Sequence, residues 1–205
     1  MNKKLLIVVV TLFLVSTTYA ASNVPIGDES WDGWYDHPTG KPIDDPEVMP
    51  SKYEFSYDWA SHGNISLRAN VTGFDLFMGK DIHTDFWDNY QIEFDIYAVA
   101  QEGSSATWAQ VEKIALSTET NGWTDMANSQ FTIGLGGSDT HCVLDYSQYK
   151  TPEYASPTDS YVSIFFAYNA DAPVYLYIDN IWLTPEPATI GLLGLGGLAL
   201  LRRRK

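Results

Sequence analysis

The 205-residue chain is acidic and rich in aromatic residues, with 26 Asp and Glu against 12 Lys and Arg. Setting aside the two terminal segments leaves six cations, Lys41, Lys52, Arg68, Lys80, Lys113 and Lys150, against 25 acids, a net charge near −19. Such a surface excludes nucleic acid and anionic lipid headgroups as partners, since both need clustered cations to neutralise phosphate, and the single Cys142 excludes an intramolecular disulfide.

At the N-terminus, Lys3 and Lys4 precede an apolar stretch from Leu5 to Val15, and Thr18-Tyr19-Ala20 forms a small-x-small exit. That is the layout of a secretory signal peptide, so residues 1–20 are read as a signal cleaved after Ala20 or Ala21. Residues 21–51 follow as an irregular segment, broken by Pro25, Pro38, Pro42, Pro46 and Pro50. Trp31, Trp34 and Tyr35 sit among those breakers.

From residue 52 the hydrophobic period changes to two. Tyr53, Phe55 and Tyr57 alternate with polar partners; so do Ile65, Leu67, Ala69 and Val71, and then Ile92, Phe94, Ile96 and Ala98. Alternation of this kind marks strands with one face buried. Further strands are expected over 111–117, 130–135, 161–167 and 174–183, with Gly73, Asn121-Gly122, Gly136-Gly137 and Asp171-Ala172-Pro173 as turns between them. Residues 107–118 suit a helix or a strand. Seven or eight short strands predict an all-β domain over 52–184, an antiparallel β-sandwich of jelly-roll type. Within it Cys142, flanked by apolar residues, is read as a buried and inert thiol.

Motifs of catalysis are absent: there is no Gly-x-Ser-x-Gly elbow, no His-Glu-x-x-His, no phosphate loop and no Gly-x-Gly-x-x-Gly. His37, His62, His83 and His141 lack ligand spacing. The reading is a non-enzyme. Saccharide recognition needs a different inventory, an aromatic ring against which the C–H face of a pyranose packs, with amide and carboxylate groups for its hydroxyls. Trp31, Trp34, Tyr35, Trp87, Trp108 and Trp123 lie in or beside polar, loop-like stretches and are the stacking candidates, whereas Trp59 and Trp182 read as core.

The chain ends on Pro185-Glu186-Pro187, an uncharged apolar run from Ala188 to Leu201, and Arg202-Arg203-Arg204-Lys205. As a helix the run would be about 21 Å long, short for a bilayer core of about 30 Å, but its terminal cations can snorkel to the headgroups. Residues 185–205 resemble the PEP-CTERM sorting signal of bacterial surface proteins. The resemblance implies export, transient anchoring through the C-terminal helix, and cleavage by an exosortase-type membrane protease, with Pro185, Glu186, Pro187, Arg202, Arg203 and Arg204 as the sorting residues.

A second resemblance lies just upstream. Tyr175-Leu176-Tyr177-Ile178-Asp179-Asn180-Ile181-Trp182-Leu183, together with Asp145-Tyr146-Ser147 and the stretch 161–169, is similar to the closing part of carbohydrate-binding modules and galactose-binding-like domains. There the strand-borne aspartate often ligates a structural calcium. The resemblance thus implies Asp179 as a metal ligand, with Glu54 or Asp58 near the first strand as its acidic partner. The sequence therefore points to an exported protein of the cell surface or extracellular matrix that binds an extracellular polysaccharide. The alternative is a structural envelope or biofilm component acting through protein contacts alone.

Overall fold

The structure is a computed structural model that describes residues 23–185 except residue 75. The expected signal peptide, and the sorting tail beyond Pro185, lie outside the described residues. The strands in chain order are β1 (Val24–Gly27), β2 (Trp34–Asp36), β3 (Lys41–Pro42), β4 (Tyr53–Ser56), β5 (Ser66–Val71), β6 (Leu76–Asp81), β7 (Gln91–Ala100), β8 (Trp108–Thr118), β9 (Gly122–Asp125), β10 (Phe131–Gly134), β11 (Thr140–Asp145), β12 (Val162–Ala170) and β13 (Val174–Thr184). A single helical turn, α1 (His83–Phe86), follows β6, and among the described residues no helix is long and apolar enough to cross a membrane.

The strands form two antiparallel sheets, ordered β11-β7-β13-β5-β4 with β1 added on β13, and β10-β8-β12-β6-β2-β3 with β9 added on β8. This is the expected all-β sandwich. Its long central strands are those with the clearest alternation. In β7, Ile92, Phe94, Ile96 and Ala98 all turn inward, and in β12 Ile164, Phe166 and Tyr168 do the same from the other sheet. The layers meet where Phe94 stands edge-on to Phe166, centroids 5.2 Å apart, with Trp34 packed 5.8 Å from Phe166. Each such ring, fully buried, contributes about 1.5–3 kcal/mol. The stretch 107–118 resolves as the strand β8 from Trp108 to Thr118, whose β-branched and alternating residues suit a surface packed on one side.

The segment expected to be irregular is joined to both sheets. β1 pairs with β13, Val24 opposite Leu183, and β2 pairs with β6, Trp34 opposite Lys80. Strands of two to four residues are too short to show a period, and their prolines sit where the ladder allows them: Pro25 beside a register shift, Pro42 on an edge strand. Strands β6, β9 and β11 were likewise unexpected. Trp59 and Trp182 also need correction, because both are half-buried and lie outside the core cluster. Trp182 falls on an outward-facing position that the register reveals, opposite Glu93, and Trp59 lies in the loop between β4 and β5.

Cys142 is buried, and burial pushes its thiol up to about 12, so it carries almost no thiolate at neutral pH.

Candidate functional site

The outer face of the seven-stranded sheet follows directly from alternation. Because Trp34, Met78, Ile164 and Phe166 turn into the core, Tyr35, Phe77, Gly79 and Phe165 turn away from it. Cross-strand register then places Tyr35, Gly79, Phe165, Ala115 and Asp125 in one row, and Ser163, Ser117 and Trp123 in the next. Small residues thus alternate with rings, and the rings lie down over the small residues. Gly79 is required here: a Cβ on it would lie 2.4 Å from Phe165 Cε1 and 3.0 Å from Tyr35 Cζ.

The result is a continuous aromatic platform. Phe165 is its centre, 4.8 Å from Trp123, 4.9 Å from His37 and 5.8 Å from Tyr35 by ring centroids. His37 also meets Trp123 at 5.4 Å and Phe77 at 6.1 Å, and Phe74 extends the patch 5.3 Å beyond Phe77. Solvent reaches it through Trp123 and Phe74, 41% and 48% exposed, and through the exposed His37. Apolar rings left open on a sheet face in a monomer mark a binding surface more often than chance exposure does.

Polar groups rim the platform. The Trp123 indole donates to Asp125 Oδ1 at 2.7 Å, and Lys113 Nζ donates to Asp125 Oδ2 at 2.7 Å, which fixes the indole plane. Burial works to raise the Asp125 carboxyl, but these two bonds outweigh it and hold the group below its ordinary value. On the Tyr35 phenol burial is the largest influence and shifts it upward against a hydrogen bond with Ser163. Farther along the same sheet, Gln110 and Asn169 both donate to Glu112, and Thr132 donates to Gln110 Oε1 at 2.8 Å. A carboxylate and a lysine beside the rings, with amides farther along the sheet, are able to hold a polyhydroxylated ligand, with ring faces for its C–H groups.

Of the six stacking candidates, Tyr35 and Trp123 belong to the platform. Trp31 and Trp34 do not, being 5% and 1% exposed: Trp34 donates its indole N–H to the Ile26 carbonyl and packs on Trp31 and Phe166, so both rings serve the core. Trp87 is packed edge-on against Phe86 at 5.1 Å, and Trp108 is half-buried at the start of β8, neither in contact with the platform rings. His37, Phe74, Phe77 and Phe165 were missed. One signal was available: Phe165-Phe166 are adjacent in a strand, and only one of two neighbours can face a core.

The carboxylates expected around calcium are not brought together. Asp179 is fully buried on β13, where Oδ2 accepts the backbone N–H groups of Ser61 and His62 at 2.8 and 3.0 Å, while Oδ1 has no hydrogen-bond partner. Burial raises the Asp179 carboxyl despite these bonds. Its register neighbour Asp95 is instead lowered, because bonds from Ser61, Asn180 and His141 exceed the opposing effect of burial. Glu54 and Asp58 both turn to Arg68. The three expected ligands therefore do not fit one ion, and among the described residues no three His, Cys, Asp or Glu side chains group as a metal site. Sequence proximity to the first strand misled, because the guanidinium of Arg68 on the neighbouring strand claims both acids.

Residues 183–205 match the PEP-CTERM protein-sorting motif. The chain carrying this sorting motif is an exported protein, transiently anchored at the membrane. No curated protein is similar to it in sequence. Its fold is similar to a family 27 carbohydrate-binding module of Caldicellulosiruptor saccharolyticus, solved in complex with mannohexaose: 19% identity, 82% of this chain and 100% of that chain, TM-score 0.50. The C-terminal family 22 module of Clostridium thermocellum Xyn10B aligns at 15% identity over 82% and 94% of the two chains, TM-score 0.49. The xylan-binding family 22 module of Paenibacillus barcinonensis Xyn10C aligns at 12% identity over 80% and 92%, TM-score 0.48. At 19% identity the likeness to the family 27 module speaks to the fold alone, a jelly-roll sandwich.

Proposed function

We propose that this exported protein is a non-catalytic carbohydrate-binding component of the cell surface or extracellular matrix, and that the outer face of the seven-stranded sheet is where it engages polysaccharide. The observation that carries the reading is the platform itself: Tyr35, His37, Phe77, Trp123 and Phe165 joined by a chain of ring contacts on a sheet face, seated on Gly79, with Asp125 and Lys113 at the rim. A protein acting through surface charge alone has no use for five clustered rings outside its core. The neighbour solved with mannohexaose supports a neutral polysaccharide as the ligand class, and the acidic surface favours a neutral glycan over a polyanion. On this reading an exosortase-type protease cleaves near Pro185-Glu186-Pro187, so the basic tail is lost once sorting is complete.

A glycan array probed with the full chain and with a Trp123→Ala variant, each with and without calcium, tests the proposal. Binding of neutral β-linked glycans by the native chain, weakened about tenfold or more by the substitution, is the expected result. Uniform silence, or a Trp123→Ala variant that binds as the native chain does, would sink it. The calcium arm reads independently whether an ion contributes.

A further inference from the structure

The opposite face of the sandwich carries a second constellation. Leu67, Ala69, Leu176 and Ile178 turn into the core, so Arg68 and Asn70 of β5 and Tyr175 and Tyr177 of β13 lie on the outer face of the six-stranded sheet. Register aligns Glu54, Arg68, Tyr177 and Tyr97 in one cross-strand row, and Asn70, Tyr175 and Val99 in the next. The loop joining β4 to β5 covers one end of this face, where Trp59 stacks on Tyr97 at 5.5 Å and Asp179 holds the amides of Ser61 and His62. The other end is open. A cleft of about 550 Å³ lies there between Lys52, Glu54, Arg68, Asn70, Gln101 and Tyr175, within the ordinary range for small-ligand sites.

The chemistry of this cleft is mixed and pre-organised. The Arg68 guanidinium lies 4.4 Å over the Tyr175 ring and pairs with Glu54, which sets a donor fork and an acceptor side by side. Asn70 is fixed by donating to the Pro50 and Ser51 carbonyls at 2.9 and 3.1 Å, and Gln101 by donating to the Val174 carbonyl at 3.1 Å. Arg68 Nε and Asn70 Oδ1, buried beneath this face, have no hydrogen-bond partner. Charge decides the ligand class: Arg68 is answered by Glu54 and Asp58, and Lys52 by the buried Asp36, which leaves no free cation for a carboxylate or sulfate. What fits is a neutral polyol that accepts from the guanidinium, donates to Glu54 and uses the two amides.

We infer that this cleft is a second saccharide site, so that the sandwich binds neutral polysaccharide on both faces and cross-links strands within the matrix. The inference shares with the preceding reading only the premise that the domain binds saccharide, and it stands on separate residues. Titration calorimetry of the full chain with xylohexaose, mannohexaose and cellohexaose tests it. The native chain is expected to take up two molecules of at least one of these, and Asn70→Ala with Gln101→Ala to take up one, at the affinity that Trp123→Ala loses. Glu54→Gln, which keeps the shape of the cleft and removes only charge, is expected to weaken the second uptake at least fivefold, and backbone amide spectra of each variant verify its fold. A stoichiometry of one that Trp123→Ala abolishes and the cleft variants leave untouched overturns the inference while sparing the platform. Binding that survives Trp123→Ala and vanishes in the cleft variants does the reverse. Silence toward all three hexasaccharides overturns both.

Discussion

Replacing Gly79 with alanine isolates the local condition on which the platform depends. The added Cβ would stand 2.4 Å from Phe165 Cε1, 2.6 Å from Cδ1 and 3.0 Å from Tyr35 Cζ. Ordinary carbon contacts begin at about 3.5 Å, so the Phe165 ring must retreat by roughly 1 Å. Trp123 and His37, at 4.8 and 4.9 Å, stand beside it, and the ring is itself only 4% exposed. Overpacking of this kind costs about 1–3 kcal/mol, whereas exchanging glycine for alanine in a strand returns about 0.4–1 kcal/mol through the entropy of the unfolded chain. The steric effect wins, with a net loss of roughly 0.5–2 kcal/mol and a Tm lowered by about 1–8 °C for a domain of this size. Circular dichroism melts give the stability, and tryptophan fluorescence follows Trp123 at the displaced ring. Saccharide affinity is expected to fall with the stability. A raised Tm with unaltered affinity would show that Phe165 is free to move and that the floor of small residues is not what orders the rings.

Other outcomes follow from the same contacts. Lys52→Ala removes the cation that holds both oxygens of the fully buried Asp36 at 2.9 Å, leaving only the Thr39 hydroxyl; since Lys52 is partly exposed, a loss of about 2–3 kcal/mol is expected by urea unfolding, below the 3–5 kcal/mol of a wholly dry pair, and a change under about 0.5 kcal/mol would contradict the assignment. The raised carboxyl of Asp179 means that the folded state takes up its proton before the unfolded state does, so its contribution is complete below the ordinary carboxylate value near 4 and is lost as pH rises through the raised value. Asp179→Asn is therefore expected to flatten the dependence of Tm on pH above the ordinary carboxylate value near 4; an unchanged slope would refute the shift. The lowered carboxyls of Asp95 and Asp125 act in the opposite sense: their contribution is present above about pH 4 and is lost as pH falls through their lowered values, giving acid destabilisation in both chains. Exchanging Arg202, Arg203 and Arg204 for glutamate removes the basic end of the sorting tail, and fractionation is expected to show unprocessed chain released from the membrane; normal processing would rule out a part for those charges.

Legibility in the sequence followed strand length and partner distance. β7, β12 and β13 run for nine to eleven residues, long enough to be read as strands, and in β7 the inward face of Ile92, Phe94, Ile96 and Ala98 was read correctly. β2 and β3 have three and two residues, and no period can be seen in so few. Trp34 sat in a proline-rich, polar stretch and so read as an exposed ring, yet that short strand delivers it to the centre of the core. Trp123 and Tyr35 were legible as aromatic residues in polar surroundings. Phe77 and Phe165 were not, because an apolar residue in a strand is counted as core until a register shows which way it faces.

The C-terminal sorting motif, the acidic body and the alternating strands are local properties, set by residues within a few positions of one another, and so the sequence alone determined that this is an exported β-sandwich. Which rings meet was decided only in the tertiary structure. Tyr35, Gly79, Trp123 and Phe165 are 130 residues apart from first to last, and it is the hydrogen-bond register of five strands that brings them onto one face. The same holds for Arg68, which took two acids away from the expected metal site because β4 and β5 are neighbours in the sheet.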